Sequence, residues 1–99
     1  MLRKLRLQIA TLLAALLVTT GAAQTEIVWW HAMGGALGEK LVEIAEGFND
    51  SQDEFVVNPS YRGSYAETMT SAIAAFRSGE QPHIVQVFEV GTASLMAAE

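Results

Sequence analysis

The feature that most constrains this fold is a regular alternation of strand-like and helix-like segments along residues 24–99. Three short runs rich in β-branched and aromatic residues are predicted as strands, at residues 25–30, 55–61 and 83–88. Each is followed by a predicted helix: the first at residues 36–49, the second beginning after Ser64, and the third beginning near Thr92 and running on to Glu99. This βαβαβα order predicts an α/β fold with a parallel sheet, right-handed crossovers and covering helices.

The spacing of apolar residues predicts which side of each helix is buried. The side chains expected to face the sheet are Leu37, Leu41, Ile44, Ala45 and Phe48 in the first helix and Met69, Ile73 and Phe76 in the second. Ser64 and Glu67 have the spacing of a capping box, which predicts the start of the second helix. Trp29 and Trp30 should point to opposite sides of the first strand, so that at least one belongs to the core.

The first 23 residues have the layout of a secretory signal peptide rather than of a folded element. Arg3, Lys4 and Arg6 form a cationic start, an apolar stretch follows at residues 7–18, and small residues at 21–23 form a cleavage site. The apolar stretch is shorter than the roughly 20 residues that a membrane-spanning helix needs. We therefore expect export with cleavage near Ala23. Cysteine is absent from the sequence, which excludes disulfides, catalytic thiols and a lipid-modified cysteine.

Residues 24–99 are strongly acidic once the signal peptide is set aside. They contain three basic residues and eleven acidic ones, so their formal charge is −8 (3 − 11). Such a segment is a poor partner for nucleic acid or for an anionic membrane surface. It is also short for a complete α/β domain, which usually has about 100 residues or more. We expect an incomplete lobe of a larger protein.

Two candidate sites have simpler explanations. The glycine-rich run at residues 34–40 lacks the spacing of a phosphate loop, and Leu41 stands where a hydroxyl ligand for Mg²⁺ would be, so we expect no nucleotide. His31 has no partner at the spacing of a metal site or a catalytic pair, and a role in a turn or a cleft wall is the better interpretation. The sequence therefore predicts no metal, no cofactor and no catalytic residue.

Tyr65 and Glu89 are the two residues whose position points to ligand binding. Each follows a predicted strand, and in parallel sheets ligands bind outside the carboxyl ends of the strands. A phenol and a carboxylate at that edge are suited to binding hydroxyl groups. The alternative for Glu89 is an acidic residue stabilised by a helix N-terminus, an effect of about 0.3–1 kcal/mol. Position alone does not choose between these two roles.

Several segments, taken in order, resemble one family. They are residues 29–33, 48–49, 61–65, 73–79 and 86–93. Together they are similar to the start of the periplasmic sn-glycerol-3-phosphate-binding proteins of ABC transporters, in the class of two-lobed solute-binding proteins that includes maltose-binding protein. The resemblance implies that this chain is the first part of the N-terminal lobe, with the second lobe absent. Phe88 stands where relatives often have Tyr, which removes a hydroxyl but keeps the aromatic ring.

The resemblance also implies a function. Tyr65 and Glu89 match positions that contact the ligand in the family. The implied ligand is sn-glycerol 3-phosphate, and glycerophosphodiesters are possible further ligands. The resemblance places the phosphate-binding residues beyond Glu99. The protein would be periplasmic and monomeric and would deliver its ligand to the permease subunits at the inner membrane. A binding protein for a neutral sugar or oligosaccharide is the first alternative, since Tyr65 and Glu89 would serve those hydroxyls equally well. A secreted hydrolase using Glu89 is the second, but it needs a paired carboxylate that the sequence does not show.

Electrostatics predicts the orientation of such a ligand. A phosphate charge 4 Å from the carboxylate of Glu89 would be repelled by roughly 4 kcal/mol at an effective dielectric constant near 20. We therefore expect the glycerol end to meet this lobe and the phosphate to face residues outside this chain.

Overall fold

A computed structural model describes residues 23–98, and the predicted signal peptide, residues 1–23, lies outside this part except for Ala23. The strands are β1 (Thr25–His31), β2 (Phe55–Tyr61) and β3 (Ile84–Val85), and the helices are α1 (Gly35–Ser51), α2 (Tyr65–Arg77) and α3 (Thr92–Met96). The predicted βαβαβα order and the α/β class are confirmed. Within the described residues, no helix combines the length and the hydrophobicity that a bilayer span requires.

The three strands form one parallel sheet in the order β2-β1-β3. β1 is central, and its last residue, His31, is in register with Tyr61 at the end of β2. The chain moves from β1 outward to β2 and then back across β1 to β3. Because such crossovers are right-handed, α1 and α2 must cover opposite faces of the sheet.

The third strand is shorter than predicted. Residues 83–88 were expected to be extended throughout, but only Ile84 and Val85 form the strand. At each end of β3, a side-chain acceptor takes the place of a backbone carbonyl. The imidazole Nδ1 of His83 accepts the backbone N–H of Val28 at 2.9 Å, and the side-chain oxygen of Gln86 accepts the N–H of Ala32 at 3.0 Å. After Gln86 the chain leaves the sheet.

The outer edge of β2 is protected by a side chain of α1. The Asn49 amide donates to the Val57 carbonyl at 2.9 Å, and its oxygen accepts the Val57 N–H at 2.7 Å. An open strand edge can pair with another chain, and this contact satisfies part of that edge.

The predicted buried faces of the helices are only partly correct. Leu41 and Ala45 of α1 are buried, but Leu37 and Ile44 are 66% and 62% exposed, and Phe48 is 45% exposed. The apolar stripe of α1 is therefore wider than the surface that a three-stranded sheet can cover. α2 likewise buries Thr68 and Ala72, while Phe76, predicted to be buried, is 51% exposed.

The third helix begins at Thr92 as predicted but ends at Met96, so the expectation that it continues to Glu99 is wrong for the described residues. Its last turn is closed by the N–H of Ala97, which donates to the carbonyl of Ala93 at 3.1 Å.

Candidate functional site

Backbone hydrogen bonds connect the carboxyl ends of the three strands. The backbone N–H of Arg62, just after β2, donates to the carbonyl of His31 at 2.9 Å. On the other side of β1, the N–H of Gln86 donates to the carbonyl of Trp30 at 2.9 Å. The segments that follow β2 and β3 therefore leave the sheet at the same edge, which we call the carboxyl edge (the ends of β1, β2 and β3 and the residues that follow them).

Tyr65 is placed at this edge by the N-cap of α2. Ser64 is the N-cap residue, and its hydroxyl accepts the backbone N–H of Glu67 at 3.2 Å, which confirms the predicted cap. Among the described residues the reciprocal bond from Glu67 to the Ser64 backbone does not form, and the Glu67 carboxylate lies instead against Gly63. Gly63 has a φ of +97°, a conformation that residues with a Cβ rarely adopt, so this turn favours glycine. Tyr65 is the first residue of the helix and is 38% exposed.

The ring of Phe88 packs against the ring of Tyr65. Their centroids are 5.5 Å apart and the rings are tilted by 48°. Phe88 also lies close to Gly91, where a Cβ atom would be 2.9 Å from a Phe88 ring carbon and 3.2 Å from the sulfur of Met69. Tyr65, Met69, Phe88 and Gly91 thus form one packed group, the aromatic cluster. The sequence indicated Tyr65 but gave no sign that Phe88 would support it.

Glu89 lies in the tight turn between β3 and α3. The N–H of Gly91 donates to the carbonyl of Phe88 at 3.0 Å, and Glu89 is exposed within this turn. The first turn of α3 contains no acidic residue, because Glu89 precedes the N-cap, Gly91, by two positions. This placement disfavours the alternative in which Glu89 acts mainly on a helix dipole, which falls off beyond the first turn. Tyr65 and Glu89 are connected through Phe88, and no hydrogen bond joins the two in the described part.

His31 forms the wall of a separate recess on the α1 side of the sheet. Its side chain is 3% exposed, and its Nδ1 accepts the backbone N–H of Met33 at 3.2 Å. Its ring lies 5.9 Å from that of Tyr61, and the recess between them and the start of α1 has a volume of about 480 Å³. Burial lowers the pKa of His31 below its ordinary value of 6.5, which favours the neutral ring. The sequence predicted a turn or cleft-wall role for His31, and the structure places it at the wall of this recess, which does not include Tyr65 or Glu89.

No group of three His, Cys, Asp or Glu side chains within residues 23–98 could hold a metal ion. The arrangement at the carboxyl edge supplies a phenol, an exposed carboxylate and an arginine. These groups are suited to binding hydroxyls and anions.

The stack of Arg62 on Trp30 was missed by sequence reasoning. The guanidinium carbon of Arg62 lies 4.1 Å from the centre of the Trp30 ring. Trp29 and Trp30 were expected on opposite sides of the first strand, with no prediction of this contact. Detecting it requires the register of β1 and β2, which places Trp30 one position before the residue paired with Tyr61.

Comparison with known proteins shows which proteins this chain is similar to. No family model matches the chain. The sn-glycerol-3-phosphate-binding periplasmic protein UgpB of Brucella abortus (strain 2308) is 46% identical over 93 residues, which cover 91% of this chain and 22% of that protein. The proteins of the same name from Rhizobium meliloti (strain 1021) and Yersinia pestis bv. Antiqua (strain Antiqua) are 44% identical over 93 residues and 49% identical over 77 residues. These matches cover 94% and 78% of this chain and 22% and 18% of the relatives.

The chain spans about a fifth of the length of these relatives. Their names agree with the periplasmic location expected from the sequence. The expected resemblance is confirmed: over nearly all of its length, this chain is homologous to a segment of the periplasmic sn-glycerol-3-phosphate-binding proteins.

Proposed function

We propose that this chain forms part of the solute-binding component of an ABC importer, and that the ligand is sn-glycerol 3-phosphate. The observation that carries the proposal is the 46% identity, over 91% of the chain, to a relative named for that ligand. The placement of Tyr65 and Glu89 at the carboxyl edge supports it, because this edge is where parallel α/β sheets bind ligands.

Glu89 and Tyr65 would bind the hydroxyl groups of the glycerol moiety. Glu89 is exposed and precedes α3, so its ionised carboxylate can accept hydrogen bonds from two hydroxyls. Hydrogen bonds to a charged group contribute about 1.5–3 kcal/mol each. The Phe88 ring limits the orientations of Tyr65 and so reduces the entropy that binding must remove.

The mechanism is closure around the ligand rather than a chemical reaction. The carboxylate of Glu89 repels a phosphate group placed next to it, so the phosphate would be bound mainly by residues outside this segment. A second lobe closing over the ligand by a hinge motion would bury it and present a surface to the permease subunits. We propose that the complete protein acts as a monomer and that glycerophosphodiesters bind through the same glycerol contacts.

The proposal can be tested in a chimera in which residues 24–99 replace the matching segment of the Brucella abortus relative. We expect the chimera to bind glycerol 3-phosphate in calorimetric titration. Glu89→Ala should weaken this binding by about tenfold to more than a hundredfold, the equivalent of 1.5–3 kcal/mol. Glu46→Ala is the matched control, since it removes an exposed carboxylate from α1, away from the carboxyl edge.

Two results would contradict the proposal. A chimera that folds but binds maltose or another neutral sugar in place of glycerol 3-phosphate would assign the segment to a sugar-binding protein. Equal affinities for the chimera and its Glu89→Ala variant would remove Glu89 from the ligand site.

A further inference from the structure

Arg62 is held in a defined position at the carboxyl edge. Its backbone is fixed by the hydrogen bond to the His31 carbonyl, and its guanidinium lies on the Trp30 ring at 4.1 Å. This distance is within the range in which an aromatic face attracts a cation. A guanidinium placed over a ring face still has N–H groups that can donate to an anion.

Among the lysine and arginine residues of the described part, Arg62 is the one that lies at the carboxyl edge. Lys40 is on α1 and pairs with Glu43. Arg77 is in the last turn of α2, at the opposite end of that helix from Tyr65. Arg62 is exposed and forms no ion pair with a carboxylate of residues 23–98. Its charge is therefore available to a ligand.

Arg62 and Glu89 follow the two outer strands of the sheet. The strand order β2-β1-β3 puts β1 between the two strands that precede them. The carboxyl edge thus carries one positive charge that follows β2 and one negative charge that follows β3. A ligand with an anionic end and a hydroxyl end would be turned by these two charges, with its phosphate toward Arg62.

We propose that Arg62, stacked on Trp30, attracts and orients the phosphate monoester as the ligand approaches this edge. The inference rests on the proposed function and adds a residue that acts before the final bound state. Attraction is needed because residues 24–99 carry a formal charge of −8, which repels a phosphate dianion. An exposed charge at the rim of a site acts chiefly on the association rate and on its dependence on salt.

The test measures association of glycerol 3-phosphate with the chimera by stopped-flow tryptophan fluorescence at several ionic strengths. Arg62→Gln should slow association by about threefold at low salt, with little change in the dissociation rate, and the difference should vanish at high salt. Arg62→Lys keeps the charge and should retain most of the rate. Lys40→Gln changes the net charge equally on α1, where Lys40 pairs with Glu43, and should leave the rate close to that of the parent chimera.

The possible failures are distinguishable. A parent chimera that folds but does not bind glycerol 3-phosphate would overturn the proposed function, and this inference with it. Binding by the parent with unchanged association in Arg62→Gln would overturn the role of Arg62 alone. An equal loss in Lys40→Gln and Arg62→Gln would show that net charge, rather than the position of Arg62, sets the rate. Circular dichroism of each variant separates these effects from loss of folding.

Discussion

His83 and Val28 exchange two hydrogen bonds, one of which uses a side chain in place of the backbone. The N–H of His83 donates to the Val28 carbonyl at 3.0 Å, and the Val28 N–H donates to Nδ1 of the His83 ring at 2.9 Å. The pair continues the ladder between β1 and β3 for one position before β3 begins. The start of a two-residue strand is in this way fixed by an imidazole.

Removing the His83 acceptor should weaken the attachment of β3. In the chimera, His83→Leu keeps a side chain of similar size but leaves the Val28 N–H to water, and we expect a loss of about 0.5–1.5 kcal/mol in the free energy of unfolding. His83→Asn is the matched variant, since its side-chain oxygen can take the place of Nδ1, and it should recover most of this loss. Urea unfolding measures both. Equal stability of the Leu variant and the parent would show that the bond has no net effect.

A methyl group at position 91 should disturb the aromatic cluster. The Cβ of Gly91→Ala would lie 2.9 Å from the Phe88 ring, and displacement of that ring costs about 1–3 kcal/mol. Because Phe88 supports Tyr65, binding of glycerol 3-phosphate should weaken as well. Gly47→Ala is the control: nothing lies within 4 Å of its added Cβ, and alanine in a helix interior stabilises by roughly 0.5–1 kcal/mol. In thermal unfolding, Gly91→Ala should be less stable than the parent chimera and Gly47→Ala more stable. In titration, Gly91→Ala should bind glycerol 3-phosphate more weakly, and Gly47→Ala should bind it as the parent does.

His31 should make stability depend on pH. Burial lowers its pKa in the folded state below the ordinary value of 6.5, so near that pH the unfolded chain binds more protons than the folded one. The contribution of the neutral ring is complete above pH 6.5 and is lost as the pH falls toward the lowered pKa. We expect His31→Asn, which keeps an acceptor for the Met33 N–H but does not titrate, to lose less stability than the parent chimera between pH 7.5 and pH 5.5. Parallel stability curves would contradict this expectation.

The sequence predicted the strands and helices that are defined by composition and periodicity. β1 and β2 were placed closely because their apolar and β-branched runs are continuous, and the start of α2 was placed by Ser64. β3 was predicted too long, since nothing in the pattern of residues 83–88 shows that the side chains of His83 and Gln86 replace backbone groups.

Contacts that depend on register could not be predicted from spacing. The periodicity of α1 identified the helix but not which part of its wide apolar stripe is covered, and the sheet covers Leu41 and Ala45 rather than Leu37 and Ile44. The candidate residues Tyr65 and Glu89 were found from their positions after strands. The stack of Arg62 on Trp30 joins two strands and becomes visible only once their pairing is known.

Export should remove the first 23 residues. The cationic start, the short apolar stretch and the small residues before Gln24 predict cleavage near Ala23. Mass spectrometry of the exported protein should show an N-terminus at or near Gln24. An exported protein that keeps Met1 would contradict the prediction of a signal peptide.

Residues 24–99 should neither fold stably nor bind the ligand when expressed alone. Among the described residues the buried apolar side chains are those of Leu41, Ala45 and Ala72, while Leu37 and Ile44 are more than 60% exposed. So small a core contributes little against the conformational entropy of the chain, although Asn49 protects part of one sheet edge. The ¹H–¹⁵N NMR spectrum should show poor dispersion and no change on adding glycerol 3-phosphate, whereas the chimera should show dispersed signals that shift. A dispersed spectrum of the isolated segment that shifts at micromolar ligand would instead show that these residues form a self-sufficient binding module.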